Sequence, residues 1–341
     1  MARCVLALGP DTDGALLHHL LDRSTAFLDL AVYELGPGYA LHLARAARRG
    51  VAVRVLLDGH AGANSTSTAV LHGSGAEVRV LDRRGGDGGE AHWKLLLTAT
   101  AVATGSGNLL HRDAPEPGQP GTREWWAAVA GAEAVQHAAR DAYDAAWSEA
   151  AAPPLAWRRA AAAPPRIPPV GVPAPEVASL SLSVPAARLR LVLGGEPVRA
   201  LLAERLAAAR HRALVTVPYV HTRVAPVRAL LDQLCRARAR GAEVRLLLGA
   251  PPEPRDAAAL AATPLPVRVM DPRRSTTGHA KGLVADGAAV VSSANWSGAG
   301  LGANRESALL LDHARAADWF AAALDRDWAV AAPLPRQVPG A

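Results

Sequence analysis

Apolar and polar positions along this chain alternate between two periods. Residues 27–35 (FLDLAVYEL) and 51–58 are short, apolar and bounded by turn-forming or charged residues, which predicts strands. Residues 39–49 instead repeat apolar positions at three- and four-residue spacing and stop at Gly50, which predicts a helix with a glycine end. Continued along the first half, the pattern predicts strands over 3–8, 77–81 and 125–130 (the last at a sheet edge), and helices over 14–24, 68–72 and 133–150, with a polar loop over 59–67. The second half repeats the order: strands over 189–193, 213–220, 242–248, 267–270 and 307–311, and helices over 198–210 and 226–240. A loop is expected at APPEPRD (250–256), and a last helix carries Trp328. Tyr33, Tyr219, Trp147 and Trp328 read as core residues. Strands alternating with helices, twice over, predict an α/β protein of two similar domains, each a mixed β-sheet flanked by helices and related by internal duplication. Dense prolines place a linker at 153–178, between domains at 1–152 and 179–334, each long enough to bury its own core.

Within this pattern the stretch GHAKGLVADGAAVVSSANW (278–296) stands out. The D-G pair at Asp286-Gly287 predicts a hairpin turn. His279 and Lys281 lie two apart and so leave one face of a strand, and a hairpin returns Ser293 and Asn295 beside them. An imidazole, an ammonium, a hydroxyl and an amide on one face suit a bound phosphate. The pattern recurs upstream in AHWKLLLTATAVATGSGNL: adding 187 to His92, Lys94, Ser106 and Asn108 gives the downstream set. Ala99 stands where the second motif has Asp286, which can brace its own turn as readily as take part in chemistry. After each motif comes one acid in similar context, Glu124 in GTREWW and Glu306 in GANRES.

Composition sharpens this reading. Of 37 basic residues, Lys94 and Lys281 are the only lysines. Two lysines both falling two places after a histidine is expected by chance on the order of once in a thousand. A chain that makes its surface charge with arginine is asking for a compact ammonium at these two places.

The paired H-x-K motifs, each followed by S-x-N and then a glutamate, resemble the phospholipase D superfamily, and the resemblance extends over nearly the whole chain. It implies one active site at the interface of the two domains. It further implies that one histidine forms a covalent phosphohistidine while the other protonates the leaving group, His92 and His279 respectively. Lys94, Lys281, Asn108 and Asn295 would hold the phosphate oxygens, Ser106 and Ser293 would add hydrogen bonds near the histidines, and Glu124 and Glu306 would fix the imidazole tautomers. The implied activity is that of a metal-independent phosphodiesterase hydrolysing or transferring phospholipid head groups, with no metal and no cofactor. An endonuclease on the same scaffold is the nearest alternative, and a phosphodiester-binding pseudoenzyme the other, because of Ala99.

The net charge of +6 and the pI near 10.0 suit polyanionic partners: phospholipid, an anionic membrane surface or nucleic acid. No stretch interleaves basic and aromatic residues as single-strand binders do. Cys4 and Cys235 read as small buried residues without a disulfide. The start, MARCVLALGPDTDG, does not read as a signal peptide, and no apolar run is long enough to span a membrane, so a cytoplasmic monomer is the expectation, with a peripheral place on a membrane as its variant. His18, His42, His60, His111 and the other unrepeated histidines are expected at the surface or satisfied in the core, and RRGGDGGE (83–90) as a loop beside the first motif.

Overall fold

The computed structural model describes residues 1–82, 89–116, 118–158, 179–271 and 277–334. Most of the glycine-rich loop (83–88) and most of the proline-rich linker lie outside them.

The first half supplies strands β1 (Ala2–Leu8), β2 (Phe27–Val32), β3 (Ala52–Asp58), β4 (Glu77–Leu81), β5 (Lys94–Thr98), β6 (Ala101–Gly105) and β7 (Trp125–Ala130). Its helices are α1 (Asp13–Arg23), α2 (Pro37–Arg48), α3 (Asn64–Leu71), α4 (Glu133–Glu149) and the single turn α5 (Leu155–Arg158). After the linker come β8 (Leu180–Val184), β9 (Leu189–Leu193), β10 (Arg212–Val217), β11 (Glu243–Leu248), β12 (Val267–Val269), β13 (Gly282–Ala285), β14 (Ala288–Ser292), β15 (Ser307–Leu311) and β16 (Ala332–Pro333). The helices there are α6 (Gly195–Ala208), α7 (Ala225–Ala239), α8 (Pro254–Ala261) and α9 (Ala314–Val330).

Two eight-stranded mixed sheets result, in the orders β4-β3-β2-β5-β6-β7-β1-β8 and β16-β12-β11-β10-β13-β14-β15-β9. In each, the three strands joined by helical crossovers pair in parallel and the motif hairpin adds antiparallel strands. Seven strands match one for one between the sheets, so the duplication read in the sequence is a duplication of topology. Four details differ from the sequence reading. β7 is interior, between β6 and β1, because its residues are buried on both faces. α3 starts in the expected loop, where the Asn64 side chain bonds Leu35 N, Tyr33 O and Asp58 O. α8 starts in the expected loop APPEPRD with Pro254 at its first position, which suits a residue lacking an N–H. And LSLSV, placed by composition with the second half, pairs with β1 of the first sheet, burying Leu182 and Val184 and exposing Ser181 and Ser183.

Three hydrophobic clusters hold the layers together. One packs α1 and α2 on the outer face of the first sheet, and another packs α6 and α7 on that of the second. The third lies between the sheets and draws on both halves, with Leu95, Trp125, Val291 and Leu309 together in it beside Tyr143 of α4 and Phe320 of α9. The halves therefore share a core as well as having their own. Trp125 marks how close they come: its ring stacks on Phe320 at 4.3 Å, and a Cβ on Gly282 would lie 2.2 Å from its Cε3. Only glycine fits at that contact.

Candidate active site

Each motif lies where its hairpin opens toward the other half. Lys94 starts β5 opposite Val32, and Lys281 precedes β13, its carbonyl accepting from Ser292 N at 3.0 Å. Each backbone then crosses to the other half. Arg123 N donates to Thr277 O at 2.8 Å, His279 N to Arg123 O at 3.0 Å, and Arg305 N to Glu90 O at 2.9 Å.

The acids are exchanged between the halves. His92 Nδ1 lies 2.9 Å from Glu306 Oε2, and His279 Nδ1 is hydrogen-bonded to Glu124 Oε1. Both glutamates are fully buried. Ser106 Oγ donates to Glu124 and accepts from Trp125 N at 2.9 Å; Ser293 Oγ donates to Glu306 and accepts from Ser307 N at 2.9 Å. Their hydroxyls are thus committed to the glutamates rather than turned toward a ligand. Each glutamate also accepts from the residue two before it: Thr122 Oγ1 donates at 3.1 Å to the Glu124 oxygen that holds His279, and Asn304 Nδ2 donates at 3.2 Å to the Glu306 oxygen left by His92 and Ser293. Thr122 and Asn304 went unread in the sequence; aligning the halves on their glutamates would have matched them.

Both lysines are buried, at 0% and 1% exposure. Lys94 Nζ donates to His92 O at 2.8 Å and lies 5.7 Å above the Tyr33 ring. Lys281 Nζ donates to His279 O at 2.7 Å and, across the interface, to Ser106 O at 3.1 Å. Burial, offset in part by Glu306, lowers the Lys94 pKa to about 7, and burial offset by Glu124 lowers that of Lys281 to about 8. Burial likewise holds His92 down to about 4 against the pull of Glu306. At Glu124 burial pushes upward, but the charges of His279 and Lys281 and the hydrogen bonds from His279 and Ser106 win, and its pKa falls below the usual carboxylate range.

Asn108 and Asn295 leave their Oδ1 atoms buried without a hydrogen-bond partner among the described residues. Asp286 lies at the far end of its strand, about 16 Å from Lys281 at ~3.3 Å per residue. There, at φ 49°, its carboxylate accepts from the amides of Arg210, His211 and Arg212 at 2.9, 2.8 and 3.0 Å. In the first hairpin Thr98 Oγ1 takes over the bracing, accepting from Ala101 N at 3.0 Å, so Ala99 leaves the turn secured.

Two residues without an expected role at the site, Asp113 and Tyr33, complete the surroundings. Asp113, 2% exposed, has a carboxylate oxygen within 4.8 Å of Glu124 and His279 donor atoms. Its place in the second half is taken by Gly300, so it makes the site asymmetric. Tyr33 lies 5.3 Å from His92 and is half-buried rather than a core residue. Asp113, Glu124 and His279 form a group that could hold a metal ion, but Lys281 Nζ lies 2.8 Å from His279 Nε2 and already supplies a cation there.

Residues 202–328 match the family model described as "Cardiolipin synthase, PLD-like domain". Among curated proteins no sequence matches the chain. Among solved structures, phosphatidylserine synthase of Haemophilus influenzae Rd KW20 superposes with a TM-score of 0.65 at 10% identity, covering 96% of this chain and 87% of that one. Polyphosphate kinase of Porphyromonas gingivalis superposes with a TM-score of 0.61 at 15% identity over 95% of this chain, which spans 50% of the kinase's length. Nuc of Salmonella typhimurium, a phospholipase D family member, gives a TM-score of 0.40 at 16% identity, over 45% of this chain and 98% of its own. Residues 202–328 are thus similar to a phospholipase D-like domain, and the chain as a whole shares the two-domain fold of the phosphatidylserine synthase.

Proposed function

We propose that this protein is a metal-independent phosphodiesterase of the phospholipase D type, hydrolysing or transferring phospholipid head groups through a phosphohistidine. The observation that carries the proposal is the exchange of acids: each histidine has its Nδ1 on a buried glutamate of the other half, beside a buried lysine. That arrangement holds each ring through Nδ1 and leaves Nε2 as the reacting nitrogen.

His92, kept unprotonated near neutrality by burial, attacks phosphorus through Nε2. His279, beside the carboxylates of Glu124 and Asp113, gives its proton to the leaving alkoxide. A P–N bond forms as the P–O bond breaks. Water or a second alcohol then loses its proton to His279 and attacks phosphorus, and the P–N bond breaks to release His92. Lys94 and Lys281 balance the non-bridging oxygens, a role a bound oxyanion strengthens by drawing both lysines back to the charged form. A buried amide oxygen without a partner costs about 1–3 kcal/mol, and turning the Asn108 and Asn295 amides to present N–H groups to phosphate recovers part of it. Ser106 and Ser293 act one step back, holding the glutamates.

The cardiolipin-synthase-like domain match and the phosphatidylserine synthase likeness support a lipid diester, and the basic surface suits an anionic bilayer. The test is cleavage in EDTA of phosphatidylcholine, phosphatidylglycerol, bis-nitrophenyl phosphate and plasmid DNA, with His92→Ala and His279→Ala alongside. Lipid turnover abolished in both variants is the expected result. Preference for DNA would favour the nuclease reading, and activity surviving both substitutions would sink the mechanism.

A further inference from the structure

The first half gathers a second set of titratable side chains that this chemistry does not use. His18 on α1 and His42 on α2 stack with ring centroids 4.4 Å apart and planes 14° from parallel. Glu116, in the loop that follows the first motif, brings Oε2 to 3.5 Å from His18 Nδ1. One donor atom from each of the three lies within 4.8 Å of the other two, and all three residues are half-buried. Neither histidine carries a sequence signal of this meeting, because they lie on different helices and have no counterpart in the second half.

We propose that His18, His42 and Glu116 form a binding site for a divalent transition-metal ion, zinc by its donor set. Two imidazoles and one carboxylate are donors zinc accepts, with a fourth position left to water. Asp22 holds His42 Nδ1 at 2.9 Å, which fixes the ring and leaves Nε2 to bind, the carboxylate–imidazole support that metal-ligating histidines commonly have. Bonds of about 2.0–2.1 Å in a tetrahedron bring donors to roughly 3.4 Å from one another, so closing the site on an ion requires the two stacked rings to turn out of parallel until both lone pairs meet it.

The ion would do mechanical work. The loop bearing Glu116 also bears Asp113, which reaches Glu124 and His279, and it is tied to α2 by Tyr39 Oη donating to Ala114 O at 2.6 Å. A metal bridging α1, α2 and Glu116 fixes that loop and, through Asp113, one wall of the active site. It binds outside the reacting groups, so the reaction itself remains metal-independent.

The test uses full-length protein stripped with EDTA and dialysed, then titrated with Zn2+ by calorimetry with thermal unfolding followed in parallel. Wild type, His18→Gln/His42→Gln and Glu116→Gln are compared, and all retain the Asp113–Glu124–His279 group as an internal reference. The expected result is one more equivalent of zinc in wild type than in the double variant, at least tenfold weaker binding in Glu116→Gln, and a zinc-dependent rise in Tm that the double variant lacks. Glu116→Gln removes charge with little change of shape, so it reports even where the double variant folds poorly. Equal zinc uptake and affinity in wild type and Glu116→Gln overturns the proposal.

Discussion

Lys94 and Lys281 are unfavourable places to keep a charge, since each is buried and each lowers its pKa far from the 10.5 of a free lysine. In the unfolded chain they hold their protons to about pH 10.5; in the folded one they release them near 7 and 8. Between those limits the unfolded state binds more protons, so stability rises with pH from about 7 to 10.5. Calorimetry should show wild type gaining stability relative to Lys94→Met across pH 7–10; a relative loss over that range would contradict the burial argument. His92 has the same sense at lower pH: its folded pKa of about 4 lies below 6.5, so its contribution is lost as pH falls from about 6.5 to 4. Activity should be bell-shaped, declining on the acid side as His92 gains a proton and on the alkaline side as the lysines lose theirs. The exchanged acids predict something no pairing within a half would. Glu306→Gln should perturb the ring nitrogens of His92 and leave those of His279, read by 15N resonances, while lowering kcat about 10²–10⁴-fold. A response confined to His279 would mean the acids are not exchanged.

At the scale of elements, the hairpins set the site by their register and their turns only secure them. Asp286→Ala removes an acceptor for three backbone amides about 16 Å from Lys281 by strand length. It should cost about 1–3 kcal/mol in denaturant unfolding and leave kcat unchanged. A collapse of kcat with stability intact would return Asp286 to the chemistry. Gly282→Ala should behave differently, because its Cβ would enter the Trp125 ring. Overpacking there costs about 1–3 kcal/mol or more and pushes β13 from β7, so both stability and activity should fall. The hairpins were legible because short apolar runs, and in the second the D-G pair, act locally. The strand LSLSV carried the alternation of a half-buried strand, but proline density drew attention to its neighbours, and nothing local says which sheet it joins. α8 was hidden because Pro254 reads equally as a turn residue and as a helix start.

For the whole molecule the decisive feature is the interface between halves. Arg123 spans it, donating to Gly9 O at 2.6 Å and pairing with Asp327 at 3.0 Å, with Asp327 only 6% exposed. Burial outweighs that arginine and leaves the Asp327 carboxyl above its usual range, so the pair is held by the fold more than it holds it. Arg123→Ala should therefore cost about 3–5 kcal/mol by stranding Asp327, and should lower kcat as the halves loosen. Unchanged unfolding would show that the shared core alone sets the interface. The sequence by itself determined the duplication, the α/β order, the two H-x-K motifs and the residue types beside them, because spacing along a strand fixes which side chains share a face. Only the tertiary structure decided which glutamate serves which histidine, that the serines serve the glutamates, and that Asp113 enters the site from one half alone. It also decided that the halves share a core and that His18, His42 and Glu116 meet. Those contacts join positions far apart in the chain through packing between layers, and a one-dimensional pattern has no term for that.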